Sequence, residues 1–171
     1  MTGNRELELV LTGKIRDLAS CVLDLADAKG LRISCAESCT GGLLAAVLTG
    51  LPGKSHSFES GFIVYSDEAK VKLLDIPAKT IEVHGAVSKT IAISMAEQCL
   101  RHGSGDIALS ITGFAGPAED DEEEGLVHLA VARSGMDALH REVHFGAIGR
   151  DAVRRKALET GLEMLTQAMA A

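Results

Sequence analysis

Apolar residues recur at intervals of three and four positions in several stretches of the chain, which is the spacing of a helix with one buried face. The longest stretches cover residues 5–29, 88–100 and 151–169, and a shorter one covers residues 43–51. Glycine, proline or serine stands at most of their ends, where these residues stop or cap a helix. The pattern therefore predicts four helices. A shorter helix is predicted with Ser66 or Asp67 as its N-cap, and a second short helix or a turn is predicted between Pro77 and Gly85.

Five other segments carry the alternating or continuous apolar pattern of β-strands. They are residues 31–35, 58–65, 107–111, 126–132 and 139–145. The last two flank a turn sequence and predict an antiparallel hairpin. Because helices and strands alternate before this hairpin, the order predicts an α/β fold with a mixed sheet and helices on both faces. A chain of 171 residues with no repeat or long linker is expected to form a single domain over residues 1–171.

The net charge of −7 is concentrated in one place. Residues 119–124 are all acidic and carry six negative charges, so the rest of the chain is nearly neutral. No basic face is visible, and nucleic acid is therefore not an expected partner. Like charges repel when they are packed together, which predicts that the run is a solvated loop, with a weak divalent-cation site as the alternative.

Neither the cysteines nor the apolar segments indicate secretion or membrane insertion. The four cysteines show no disulfide framework, and the first residues are polar and charged, unlike a signal peptide. No apolar run approaches the roughly 20 residues that span a bilayer. We therefore expect a cytoplasmic protein with no membrane partner.

Three loops of small residues lie at the ends of strands or the beginnings of helices. They are residues 36–42, 112–117 and 146–151. Backbone N–H groups at a helix start attract anions, and glycine lets a ligand approach the backbone. One such loop alone is most simply a turn, with Ser38 or Thr40 as an N-cap. Three together favour a cleft that binds a phosphate or a carbonyl group.

The first of these loops contains two nucleophile candidates. No histidine and aspartate pair has motif spacing with Ser38, so a serine nucleophile needs another base. Lys70 could supply one, because burial disfavours the charged form of a lysine, although most lysines are solvated helix residues. Cys39 is the competing nucleophile, since a helix start lowers the pKa of a thiol. Cys35 and Cys39 have no second ligand pair, so zinc is not expected.

Five segments follow one another in a recognisable order. They are Ala-Glu-Ser-Cys-Thr-Gly-Gly at 36–42, Gly-Phe-Ile-Val-Tyr-Ser-Asp-Glu-Ala-Lys at 61–70, His-Gly-Ala-Val-Ser at 84–88, Thr-Gly-Phe-Ala-Gly-Pro at 112–117 and Gly-Arg-Asp-Ala-Val-Arg at 149–154. Together they resemble the CinA C-terminal family of nicotinamide-nucleotide amidases, over nearly the whole chain.

This resemblance implies a three-layer α/β/α sandwich and hydrolysis of nicotinamide mononucleotide to nicotinate mononucleotide and ammonia, in pyridine-nucleotide recycling. It implies a dyad in which Ser38 is the nucleophile and Lys70 the base, with Tyr65 orienting the dyad or the substrate. No metal or organic cofactor is implied. The implied partners are a small-molecule nucleotide and further copies of the chain in a homo-oligomer. The implied substrate-binding residues are Glu37, Thr40, Gly41, Gly42, Thr112, Gly113, Arg150 and Arg154.

The sequence departs from the family pattern after Pro117. The family has a glycine-rich segment and a Lys-Pro-x-Gly element there, whereas this chain has the acidic run. Negative charge beside a phosphate-binding cleft predicts weaker binding or an altered substrate preference. A non-catalytic nucleotide-binding or competence-associated regulatory module is therefore the alternative function, and a Cys39-dependent hydrolase is a weaker one.

Overall fold

The computed structural model describes residues 13–117, 119 and 122–170. The first predicted helix is present from residue 13 onward, and its earlier part lies outside the described residues. Helices and strands follow in the predicted order. The helices are α1 (Gly13–Lys29), α2 (Leu43–Thr49), α3 (Asp67–Leu74), α4 (Ala78–His84), α5 (Lys89–Gly103) and α6 (Arg150–Ala170), and the strands are β1 (Ile33–Glu37), β2 (Phe58–Ile63), β3 (Ile107–Gly113), β4 (Leu126–Arg133) and β5 (Leu139–His144).

The five strands form one mixed sheet in the spatial order β2-β1-β3-β4-β5. β1 is parallel to β2 and to β3, whereas β4 is antiparallel to both β3 and β5. Helix α2 connects β1 to β2, and α3, α4 and α5 connect β2 to β3, as parallel neighbours require. The predicted hairpin of the last two strands is confirmed.

The strands at the centre of the sheet differ from their predicted bounds. β1 was expected over residues 31–35 with one polar face, but it covers residues 33–37 and all five residues are buried. It has a strand on each side and helices on both faces, so its polar residues are enclosed as well. β3 continues to Gly113, and Thr112 and Gly113 therefore end a strand instead of opening a loop.

Helices cover both faces of the sheet and bury apolar residues against each. On one face, α1, α2 and α6 bury residues such as Val22, Leu48 and Leu162 against the sheet. On the other, α3, α4 and α5 bury residues such as Leu74 and Met95. The buried core on each face is aliphatic, in keeping with the absence of tryptophan. This arrangement confirms the three-layer α/β/α sandwich.

The parallel strands bring their carboxyl ends to one edge of the sheet. At that edge the backbone N–H of Ser38 donates to the carbonyl of Ile111 at the end of β3, with an N···O distance of 2.9 Å. The N–H of Val64, after β2, donates to the carbonyl of Glu37 at 2.8 Å. The backbone at Ser38 is therefore fixed between the two neighbouring strands.

The described part of the chain contains neither a membrane-spanning helix nor a disulfide bond. Over residues 13–117, 119 and 122–170, no helix combines the length and apolarity needed to cross a bilayer. The four cysteines are all free thiols.

Candidate active site

A cleft with a volume of about 280 Å³ opens where the parallel strands end. This volume is near the lower limit of small-molecule sites, which run from roughly 300 to 1,000 Å³. Its wall comes from the loop after β1, the start of α3, the segment before α5, the loop after β3 and the first residue of α6. Six of the predicted site residues lie on this wall: Ser38, Tyr65, Lys70, Thr112, Gly113 and Arg150.

Ser38 reaches the cleft although it is 92% buried, since its residual exposure is 8%. Its backbone N–H is held by Ile111, as described above. Its hydroxyl makes no hydrogen bond to any described residue. The hydroxyl is therefore available to a bound molecule.

Lys70 is an unusual lysine because only 1% of it is exposed. Ser66 caps α3 by accepting the N–H of Ala69, so of the two predicted caps, Ser66 and Asp67, Ser66 is the correct one. Lys70 lies one turn into the helix. Its Nζ lies 3.4 Å from a carboxylate oxygen of Asp67. Among the described residues no hydrogen bond joins Nζ to the Ser38 hydroxyl. The two side chains share a cleft wall without a hydrogen bond between them.

Glu37 is completely buried and does not line the cleft, in contrast to its predicted role in substrate binding. Its carboxylate accepts the backbone N–H groups of Gly42, Leu44 and Ala45 at the start of α2. The predicted N-caps at Ser38 and Thr40 are wrong, because Gly42 is the N-cap residue and no side chain at that position caps the helix. The N–H groups expected to bind an anion are occupied by Glu37.

Cys39 is not an activated thiol. Its residual exposure is 5% and burial raises its pKa to about 12, outweighing the favourable charges of Arg154 and Arg150. The expectation that the helix start lowers this pKa is wrong, because desolvation is the larger effect and Glu37 adds negative charge nearby. A Cys39-dependent hydrolase is therefore disfavoured.

Arg150 and Arg154 lie one turn apart on α6 but have different surroundings. Arg150 lines the cleft, where its guanidinium donates to the carbonyl of Gly116 at 3.0 Å and to the Tyr65 hydroxyl at 3.1 Å. Arg154 is absent from the cleft wall and donates to the carbonyl of Thr40 at 2.8 Å. Of the two arginines predicted to bind substrate, Arg150 alone lies on the cleft wall.

Thr40, Gly41 and Gly42 also lie outside the cleft wall. Thr40 is completely buried. Gly41 and Gly42 adopt left-handed backbone angles, with φ of 59° and 94°, which favour glycine over other residues. They allow the chain to turn from β1 into α2.

The loop after β3 forms part of the cleft wall. Thr112 donates its hydroxyl to the carbonyl of Ala86 at 2.9 Å and so fastens the segment before α5 to the sheet. Phe114 N–H donates to Leu126, which continues the β3–β4 pairing by one residue. The N–H groups of Ala115 and Gly116 donate to no acceptor among the described residues. They are available to a bound carbonyl oxygen or phosphate.

The acidic run is less solvated than predicted. Of its described residues, Glu122 lines the cleft and Glu123 binds His144, with an Oε1···Nδ1 distance of 2.7 Å. Glu122 and Glu119 also form a turn, in which the N–H of each donates to an oxygen of the other. Within the described part of the chain, no group of side chains is arranged to hold a metal ion.

Two charged residues of the cleft wall were not identified from the sequence. Asp67 lies three positions before Lys70 in the same motif, and this spacing alone places the two side chains on one helix face. Glu122 had no such signal, because a run of acidic residues does not show which member turns inward.

Three comparisons place these features among known proteins. The sequence model of the CinA C-terminal domain matches residues 15–169. A nicotinamide-nucleotide amidohydrolase, PncC, of Escherichia coli K12 is 38% identical over 156 residues, covering 90% of this chain and 94% of that protein. The crystal structure of the competence/damage inducible protein CihA from Agrobacterium tumefaciens superposes with a TM-score of 0.89 and 38% identity, covering 94% of this chain and 98% of that one.

Other relatives are longer than this chain. A competence-damage inducible protein of Caldicellulosiruptor bescii is 49% identical over 117 residues, which is 67% of this chain and 28% of that protein. A CinA-like protein of Parasynechococcus marenigrum is 42% identical over 158 residues, which is 90% of this chain and 37% of that protein. The chain therefore spans about a third of the length of these two relatives.

Proposed function

The chain belongs to the CinA C-terminal domain family, and from this premise we propose that it hydrolyses the carboxamide of nicotinamide mononucleotide, giving nicotinate mononucleotide and ammonia. One observation carries the proposal. A single cleft holds an unbonded serine hydroxyl, a buried lysine and an arginine, contributed by Ser38, Lys70 and Arg150 from three distant parts of the chain. These are the nucleophile, base and anion partner that such a substrate needs.

In the first step, the Ser38 hydroxyl attacks the carboxamide carbon while Lys70, as the neutral amine, takes the hydroxyl proton. Serine needs such a base because its hydroxyl is a weak nucleophile at neutral pH. The 3.4 Å contact with Asp67 holds the lysine nitrogen at the cleft. Substrate binding would bring the two side chains into hydrogen-bond range, since such contacts are often long in the unbound enzyme.

The attack moves negative charge to the carbonyl oxygen. Backbone N–H groups aimed at that oxygen stabilise the transition state more than the ground state. The N–H groups of Ala115 and Gly116 suit this role, because they border the cleft and have no acceptor among the described residues. The two residues are buried, so water competes weakly for them.

The tetrahedral intermediate then collapses and the carbon–nitrogen bond breaks. The proton held by Lys70 passes to the departing nitrogen, which leaves as ammonia and restores the neutral amine. An acyl ester on Ser38 remains. Lys70 next removes a proton from water, the hydroxide attacks the ester carbon, and the ester bond breaks. The proton that Lys70 took from water passes to the serine oxygen, and the carboxylic acid product is released and loses its proton to solvent.

The charges in the cleft match the two ends of the proposed substrate. Nicotinamide mononucleotide carries a cationic pyridinium ring and an anionic phosphate. Arg150 has five N–H donors, and its contacts with Gly116 and Tyr65 leave others for phosphate. Glu122 brings a carboxylate to the same cleft, where a cationic ring is favoured. The acidic run would therefore favour a substrate with a charged ring instead of weakening substrate binding.

The test is release of ammonia from nicotinamide mononucleotide by the wild type and by the Ser38→Ala, Lys70→Met and Cys39→Ala variants. We expect losses of about 10²–10⁴-fold for Lys70→Met, as for removal of a positioned proton-transfer group, and at least as much for Ser38→Ala. Cys39→Ala should stay active. Lys72→Met is the matched control, because Lys72 lies on the same helix and is exposed.

Two results would contradict this mechanism. Full activity of Ser38→Ala would exclude the serine nucleophile, and full activity of Lys70→Met would exclude the lysine base. A wild type that binds the nucleotide without turnover would support the regulatory module instead. The observation in favour of that alternative is that Nζ of Lys70 bonds to Asp67 and, among the described residues, makes no hydrogen bond to Ser38.

A further inference from the structure

Glu37 immediately precedes the proposed nucleophile, yet its carboxylate points away from the cleft and is completely buried. We propose that Glu37 is a positioning residue, whose carboxylate holds the start of α2 against the end of β1 and thereby sets the position of Ser38. The predicted effect on the reaction rate rests on the proposed function, whereas the hydrogen bonds of Glu37 do not depend on the identity of the substrate.

Both carboxylate oxygens are used. Oε2 accepts the N–H groups of Gly42 and Leu44, each at 3.1 Å, and Oε1 accepts that of Ala45 at 2.9 Å. Oε1 also accepts the thiol of Cys35 at 3.7 Å. Burial and the neighbouring Glu37 raise the pKa of Cys35, so the thiol keeps the proton that it donates.

These contacts replace the cap that α2 lacks. The first N–H groups of a helix have no partner within the helix, and a side chain at the N-cap usually accepts one of them. Gly42 stands at this position and has no side chain. Glu37 therefore satisfies three amides from a strand that ends five residues earlier. Removing its carboxylate would leave those amides buried or half-buried without an acceptor.

The loop between Glu37 and Gly42 is held at a second point. Arg154 donates from α6 to the carbonyl of Thr40 at 2.8 Å. The loop that contains Ser38 is thus held at two points, by Glu37 at the end of β1 and by Arg154 on α6. Misplacing a reacting atom by about 1 Å costs roughly 100-fold in rate. A change at Glu37 should therefore reach Ser38 even though Glu37 does not contact the cleft.

The test compares Glu37→Gln and Glu37→Asp with the wild type. Glutamine keeps the size of the side chain but turns an NH₂ group toward one of the amide donors. Aspartate keeps the charge but is one methylene shorter. We expect kcat for nicotinamide mononucleotide to fall by about 100-fold in each, with KM changed by less than about 3-fold, because the cleft wall is intact.

The control is Leu165→Ala, a cavity-forming change in the α6 core, fifteen residues beyond Arg150. It should lower the melting temperature as much as the Glu37 variants while leaving kcat unaltered. Loss of kcat in Leu165→Ala of the same size as in the Glu37 variants would overturn the proposal, because instability alone would then explain the effect.

Two measurements need no turnover. Amide hydrogen exchange at Gly42, Leu44 and Ala45 should accelerate in Glu37→Gln, and the rate at which an organophosphorus probe labels Ser38 should fall. These results support the positioning role even where the wild type does not hydrolyse the nucleotide, so the two proposals fail separately. Unchanged labelling and unchanged kcat in both Glu37 variants would overturn it.

Discussion

Replacing Arg150 with alanine separates phosphate recognition from support of the cleft wall. The guanidinium donates to the carbonyl of Gly116 and to the hydroxyl of Tyr65, and the variant loses these two contacts whichever substrate is bound. It loses the contact with phosphate only when the substrate carries a phosphate. Comparing nicotinamide mononucleotide with nicotinamide riboside therefore isolates the phosphate contribution, as in a double-mutant cycle.

The expected size follows from the geometry of the arginine. A hydrogen bond to a charged group contributes about 1.5–3 kcal/mol. This corresponds to about 10- to 150-fold in kcat/KM. Arg150 is exposed, and water screens its charge, so we expect the lower end of that range. Arg150→Ala should thus lower kcat/KM about 10-fold more for the mononucleotide than for the riboside.

The assay is ammonia release at substrate concentrations well below KM, with both substrates and both proteins. Arg155→Ala is the matched control, since Arg155 lies on the same helix and outside the cleft wall. Equal losses for the two substrates would refute the assignment, because Arg150 would then act only through Gly116 and Tyr65.

Three further predictions concern the surroundings of the cleft. Cys39→Ala should retain kcat within about 3-fold. In the wild type, Cys39 should resist iodoacetamide at pH 8, because its pKa of about 12 keeps the thiol protonated. Rapid alkylation of Cys39 would contradict its burial. The pKa of His144 is raised by hydrogen bonds to Glu123 and Glu142, so this contact stabilises the fold below about pH 6.5 and is lost as pH rises through the raised value. An NMR titration should show this pKa falling in Glu123→Gln, and an unchanged value would exclude the contact. Gly125→Ala should lower the free energy of unfolding, measured in urea, by about 2–3 kcal/mol, because φ is +87° at this residue and the added Cβ meets the backbone of Gly146. An unfolding midpoint equal to that of the wild type would contradict this crowding.

The helices were predictable because each carries its own apolar face and its own end signals. Ser66 and Ser88 stand at the starts of predicted helices, and their hydroxyls accept the N–H groups of Ala69 and Ile91. A serine cap needs only the three residues that follow it. Such contacts are local, so the sequence alone determines them.

The interactions that hold Ser38 were not predictable in the same way. Glu37 caps α2 from the end of β1, whereas sequence rules look for a cap at the helix boundary itself. Arg154 and Thr40 are 114 positions apart and meet only because α6 packs on the same face as α2. Only the folded chain shows which of the two arginines faces the cleft.

Burial was the other property that the sequence did not show. The helix-start rule predicts a reactive Cys39, and the enclosed position of its thiol reverses that prediction. Burial also distinguishes Lys70 from an ordinary solvated lysine, with 1% of the residue exposed. Neither difference is visible in the spacing of apolar residues around them.

We propose that Ser38 and Lys70 act as one catalytic unit, and the double variant Ser38→Ala/Lys70→Met provides the test. The measurement is kcat/KM for ammonia release from nicotinamide mononucleotide, compared with the two single variants. Residues that act together are strongly non-additive. The double variant should therefore be no slower than the slower single variant, within about 3-fold. Losses that multiply would show that the two residues act independently, and would contradict the dyad.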